Sequence, residues 1–336
     1  MRYTVGVAAF VLLGLLVAIL APWRPGPHVS IEGGKRLEAA GHILLRLGGT
    51  PRRQGLAHGT LLKEEIRAWI QRVRPKDPAL ARFAIEVCGQ KLWEHIPPGI
   101  RDEMEGVAEG AGVTPLEILH LHTRFELQQF DLGGLEGGRF RGACAAGPQR
   151  TVVKWFEPTD LGGDYSELIL VVREGSEPTI LVALPGMVGG FLGARPGCAV
   201  TIQPMETVGD PVLNATTWPV FLRGMLSVPP LPDREEARVT IVASFPLTAS
   251  GLGVGALLTG ESHTWHSGHD GYAGPVDLAA TLARPPRATL VETPPKGALA
   301  VSLRVASESV TVTFDGVGGR RTAQVPLERS EERQRK

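Results

Sequence analysis

Late in the chain, His263, His266 and His269 recur at every third position, and Asp270 follows the last of them. Neutral imidazoles are good zinc ligands, and three of them could hold an open, hydrolytic metal site. Gly268, Gly271 and Gly274 interleave with this run. They set a solvated loop rather than the rigid helix or strand that normally carries zinc ligands. No metal centre is therefore expected, and His263, His266 and His269 stand as the candidates if an ion is held. His120 and His122 alternate within a helical stretch. That spacing turns them to different faces, one towards the core and one towards solvent, and keeps them from sharing a metal. The thiols are Cys88, Cys144 and Cys198. Three cysteines are too few for a disulfide scaffold and lack metal-finger spacing. Cys88 and Cys198 could pair in an oxidising compartment or stay as buried free thiols, and both readings stand. Cys144 follows a segment at 131–142 that contains Gly133, Gly134, Gly137 and Gly138. It is either a small residue buried at a strand start or a nucleophile.

The chain that must position these groups has 336 residues, 35 basic and 35 acidic, hence no formal net charge. Apolar residues make up 43% and charged residues 21%, a globular balance with room for a sizeable core. Zero net charge lacks the basic footprint of a nucleic-acid binder. Residues 1–23 are almost free of charge, about the length that spans a bilayer's hydrocarbon core. A cleaved signal peptide is the rival, but Pro22 would follow the best cleavage site. The expectation is a transmembrane signal-anchor that places the domain outside the cytoplasm, with a Pro- and Gly-rich linker at 24–34.

From residue 35 to 143 the periodicity is mainly helical. Leu62, Ile66, Trp69, Ile70 and Val73 form one stripe within a helix expected over 58–73. Further helices are expected over 79–96, where Pro97 and Pro98 stop the run, and over 100–111. Thr114-Pro115-Leu116-Glu117 reads as a capping box opening another. From 144 to 327 the pattern turns to short β-rich runs, at 151–156, 167–173, 179–184, 199–204, 239–244, 253–258, 298–305 and 309–314. A short helix is expected near 219–226, and a charged tail over 328–336. Helices followed by many antiparallel strands make an α+β class.

One succession of motifs carries a resemblance. Gly48-Gly49-Thr50-Pro51-Arg52-Arg53-Gln54-Gly55-Leu56-Ala57-His58-Gly59 leads into a helix. Glu103-Met104-Glu105-Gly106-Val107-Ala108-Glu109-Gly110-Ala111-Gly112 comes later, and then the glycine-rich segment ends at Gly142-Ala143-Cys144. In order and spacing, about residues 41–223 resemble the acyl-CoA:isopenicillin N acyltransferase-like family of cysteine Ntn hydrolases. The resemblance implies an αββα sandwich and self-cleavage between Ala143 and Cys144. It implies Cys144 as the nucleophile, its own α-amine as base, and a thioester on small amide or acyl substrates, with no cofactor. Arg223 matches a family arginine, and Glu157 is nearest to a family acidic residue. Gly186-Met187-Val188-Gly189 and Gly193 match a glycine pattern where backbone approaches the site. The family has Gly and Thr beside the cysteine where this chain has Ala143 and Ala145, and an Asn-Trp-Asp signature where it has Lys154-Trp155-Phe156. A late family asparagine has no counterpart after Asn214. The alternative is therefore a catalytically inactive relative, a membrane-anchored domain that binds a ligand or partner.

Overall fold

The run His42–Leu47 shows no apolar–polar alternation, and it lies where the sequence suggests helix. In the computed structural model it is a strand, β3, buried on both faces. Strands of this kind read as continuous apolar runs because neither face meets water. The structure describes residues 29–123, 127, 144–147, 151–156, 167–196, 198–205, 216–226, 239–248, 251–252, 299–306, 308–316 and 318–327. Strands β1 (Val29–Ile31) and β2 (Gly34–Ala39) join β3 in an antiparallel meander. The expected linker at 24–34 therefore already contains strand, and the first helix among the described residues begins at Pro51.

The helices that follow are α1 (Pro51–Leu61), α2 (Lys63–Val73), α3 (Pro78–Arg82), a π-helical turn (Phe83–Val87), α4 (Cys88–Trp93), α5 (Pro98–Ala111) and α6 (Pro115–His122). Pro51, Pro78, Pro98 and Pro115 each open one, where a missing N–H costs nothing and the fixed φ is already helical. Thr114 and Glu117 form the capping box as expected. The helix expected over 58–73 breaks at Leu62, yet Leu62, Ile66, Trp69 and Ile70 all remain buried.

The rest of the described chain is β4 (Cys144–Gly147), β5 (Thr151–Phe156), β6 (Ile169–Arg173), β7 (Thr179–Ala183), β8 (Leu192–Arg195), β9 (Cys198–Met205), α7 (Trp218–Leu226), β10 (Val239–Thr248), β11 (Gly251–Leu252), β12 (Leu299–Val305), β13 (Ser309–Gly316) and β14 (Gly319–Pro326). One sheet has nine strands in the order β1-β2-β3-β6-β7-β8-β9-β10-β11, and the other has five in the order β14-β13-β12-β5-β4. The β3–β6 and β9–β10 pairs are parallel.

Alternation along β3 fixes the layers. His42 stacks on Phe314 at 3.7 Å and Arg46 donates to the Pro326 carbonyl, so this face meets the five-stranded sheet. On the other face, Leu47 lies with Ala57 and Leu61 of α1 around Gly34. Phe156 and Phe191 meet edge-on between the sheets, with centroids 5.4 Å apart. In β12, Leu299, Val301, Leu303 and Val305 turn inward at every second position. The described architecture is thus α+β: helices over one face of the nine-stranded sheet, and the five-stranded sheet over the other.

Helices α1 and α5 cross in contact along their backbones. A Cβ at Gly55 or Gly59 would strike the carbonyl oxygens of Glu103 or Val107, and one at Gly106 or Gly110 those of Arg52 or Leu56. Above the crossing, Arg52 spans Glu105 and Glu109 at 2.6 Å each. No helix among the described residues is long and apolar enough to cross a membrane, and the segment expected to do so, 1–23, lies outside them.

Candidate functional site

Glu103 sits on the inward stripe of α5 with Met104 and Val107, and none of its surface reaches solvent. A carboxylate so placed must be paired. Arg173, which ends the apolar run of β6, donates through Nε and Nη2 to Oε1 at 3.1 and 2.6 Å. Arg223 of α7 approaches Oε2 at 2.6 Å. Both arginines also donate to the Val188 carbonyl, at 2.8 and 3.1 Å, in the loop between β7 and β8.

Two imidazoles hold the same loop. His58 Nε2 accepts from the Gly186 amide at 3.1 Å. His122 Nε2 accepts from Val188 at 2.9 Å and Gly189 at 3.3 Å, while its Nδ1–H donates to the Ile118 carbonyl at 2.9 Å. An acceptor at Nε2 requires a neutral ring with the proton on Nδ1. Electrostatics agree: burial, helped by Arg173, pushes His58 down to about 3, and burial pushes His122 down to about 4. Burial would raise Glu103, but Arg173 and Arg223 outweigh it and hold the carboxyl at about 2. The cluster is one carboxylate, two guanidiniums and two neutral imidazoles. Its groups are locked in single protonation states at neutral pH, so it fixes the backbone of the loop rather than moving protons.

That assignment has a pH signature. Below pH 6.5 the unfolded chain protonates both histidines, whereas the folded rings stay neutral to about 4 and 3. The stability they contribute is complete above pH 6.5 and lost as pH falls, at about 1.4 kcal/mol per pH unit for each histidine. Glu103 adds a further loss from 4.5 towards 2. Urea midpoints at pH 7, 6 and 5 should decline steadily, with a shallower decline in His122→Gln; a flat profile would exclude the neutral-ring assignment.

Cys144 is placed elsewhere. It opens β4, an edge strand of the five-stranded sheet, in register with Lys154 of β5. Lys154 is fully buried, with Nζ 5.7 Å from the Phe156 ring centroid. Arg223 belongs to the Glu103 cluster on the helical face of the nine-stranded sheet. Glu157, Ala143, Asn214 and the run His263, His266 and His269 lie outside the described residues. Among the described residues no group of three or more His, Cys, Asp or Glu side chains could hold a metal.

Cys88 is a buried free thiol, and so is not paired with Cys198; burial raises its pKa, partly offset by Lys91. His120 and His122 depart from the expectation that one faces solvent, being 3% and 1% exposed. Helix α6 is covered on two sides: His120 Nε2 donates to the Val73 carbonyl of α2, and His122 meets the β7–β8 loop. Sequence reasoning missed His58, Glu103 and Arg173 as one cluster. The available signal was a carboxylate on the apolar stripe of α5 and an arginine closing the run Ile169–Val172.

No family model and no curated protein matches the chain.

Proposed function

We propose that the chain is an Ntn-type amidohydrolase or acyltransferase that works through Cys144 and a thioester on small amide or acyl substrates. The observation that carries this reading is the position of Cys144: the first residue of an edge strand in one of two stacked sheets, just after a glycine-rich segment. In the proposed maturation the Cys144 sulfur attacks the Ala143 carbonyl, and the peptide nitrogen leaves as the α-amine of Cys144. Water then hydrolyses the resulting thioester, freeing the carboxylate of Ala143 and the thiol. An α-amine titrates near 7.7 and can take the thiol proton in later turnovers. Each turnover forms an acyl thioester with release of the amine, and ends when water or another amine takes the acyl group. The fold proposed with it is an αββα sandwich, anchored by residues 1–23 with the domain outside the cytoplasm.

A second reading, an inactive relative that binds a ligand or partner, draws on one observation. Arg223 is engaged with Glu103 and the Val188 carbonyl, inside the helical layer. Intact mass of the purified protein separates the two. Active Cys144 gives two fragments parted between Ala143 and Cys144, and Cys144→Ala gives one intact chain. A single chain in both samples rejects self-processing and leaves the binding role.

A further inference from the structure

His58 and His122 hold the β7–β8 loop in the same way, but their second ring nitrogens differ. His122 Nδ1–H donates to the Ile118 carbonyl, one turn back along its own helix. His58 also carries its proton on Nδ1, because Nε2 accepts from Gly186, yet this buried N–H meets no acceptor among the described residues. Arg173 repeats the pattern. Its Nε and Nη2 serve Glu103 and the Val188 carbonyl, while Nη1, equally buried, has no acceptor among them. One cluster thus keeps three N–H groups in hand, two on Arg173 Nη1 and one on His58 Nδ1. Buried donors without an acceptor are costly, and protein interiors rarely leave them so.

The crossing of α1 and α5 brings the two side chains to one place. Gly55 lies against the Glu103 carbonyl and Gly59 against the Val107 carbonyl, so His58 sits beside the turn of α5 that begins at Glu103. Arg173 reaches the same Glu103 from β6. After burial, the charge of Arg173 is what acts most strongly on His58. The charges are unequal as well. Glu103 is shared between Arg173 and Arg223, and burial and Arg223 together outweigh it, so that Arg173 is drawn down to about 10. A further negative charge beside Nη1 would offset that burial. The unused groups are all donors, which selects an acceptor. Three N–H groups are too few for the oxygens of phosphate or sulfate, whereas a spherical monovalent ion needs no more.

We propose that this cluster binds a small monovalent anion, of the size and charge of chloride, at Arg173 Nη1, with His58 Nδ1–H as its further donor. The ion would join α1 to β6 through the two side chains that already grip the β7–β8 loop. The stability of that loop would then depend on the halide present. The site does not rest on the reading of Cys144 as nucleophile.

The test is urea unfolding of the full chain at constant ionic strength, with sodium gluconate replaced stepwise by sodium chloride or bromide. The native midpoint should rise with halide and level off, as linkage to a single site requires. His58→Gln keeps an acceptor for the Gly186 amide and removes the Nδ1–H, so half-saturation should need at least about tenfold more halide. Arg173→Met should abolish the response. Arg52→Met, which removes an exposed guanidinium, should respond as the native protein does and so exposes any general salt effect. Crystals of the native protein grown in bromide should show an anomalous peak beside Arg173 Nη1. Should Arg173→Met fail to fold, His58→Gln and the bromide map carry the decision. A native midpoint indifferent to halide, an equal response in His58→Gln, or a map in which water alone meets Nη1 overturns the proposal.

Discussion

Gly106→Ala should destabilise the protein by about 3 kcal/mol, the upper end of what one inserted methyl costs in a packed interior. The new Cβ would meet the Arg52 carbonyl and the Leu56 amide, both backbone, so no rotamer change can make room. Gly55→Ala is equivalent from the opposite helix, where the obstacle is the Glu103 carbonyl. Relief requires α1 and α5 to move apart, which would also displace His58 from the β7–β8 loop and Glu103 from the two arginines that hold it. Gly224→Ala is the control, because Gly224 is an exposed position of α7 where a Cβ meets nothing within 4 Å. It should stabilise by about 0.5–1 kcal/mol through the lost backbone freedom of glycine in the unfolded chain. Urea unfolding of the three variants checks this, and a Gly106→Ala midpoint equal to the native one would refute backbone contact at the crossing.

Removing the Glu103 charge should cost about 3–5 kcal/mol, because it leaves two guanidiniums inside the protein without a counter-charge. Arg173 already titrates down at about 10, with burial the larger cause and Arg223 the next, which marks how closely the two cations stand. Glu103→Gln keeps the shape and removes the charge, so its loss isolates the electrostatic part. A triple replacement, Glu103→Leu with Arg173→Met and Arg223→Met, should recover much of the stability, since apolar groups of similar volume often match a buried ionic triad. Denaturant midpoints of the single and triple variants decide the point. A Glu103→Gln variant within 1 kcal/mol of the native protein would mean that the arginines find other partners.

Local signals in the sequence placed those elements whose causes are themselves local. The capping box at Thr114 and Glu117 formed as read, and the run Thr151–Phe156 is a strand with the expected bounds. The failures have physical reasons. Strand β3 is buried on both faces because it lies between two layers, and with Leu44 between His42 and Arg46 no apolar–polar alternation marks it as a strand. Strand β14, Gly-Arg-Arg-Thr-Ala-Gln-Val-Pro, is mostly exposed and owes its extended state to pairing with β13, which no property of its own residues announces. The position of Cys144 at a strand start was legible because the change of pattern is local. The Glu103 cluster was not: Glu103 meets Arg173 across 70 residues, and His58 meets Gly186 across 128. A helical wheel can flag a charge on an apolar stripe, but it cannot name the partner.

The parallel pairing of β3 with β6 has a consequence for synthesis. Leu47 lies beside Arg173, so the strand that ends at residue 47 leaves the ribosome 126 residues before its neighbour is complete (173 minus 47). At about 5–20 residues per second, that is a wait of roughly 6–25 s. Throughout it, β3 has β2 on one side and an open row of amides and carbonyls on the other, and α1–α6 emerge during the first part of the wait and become able to cover one of its faces. The nascent meander is therefore the part of this chain most exposed to wrong pairing, and a chaperone that shields a hydrophobic strand edge would act on it before β6 arrives.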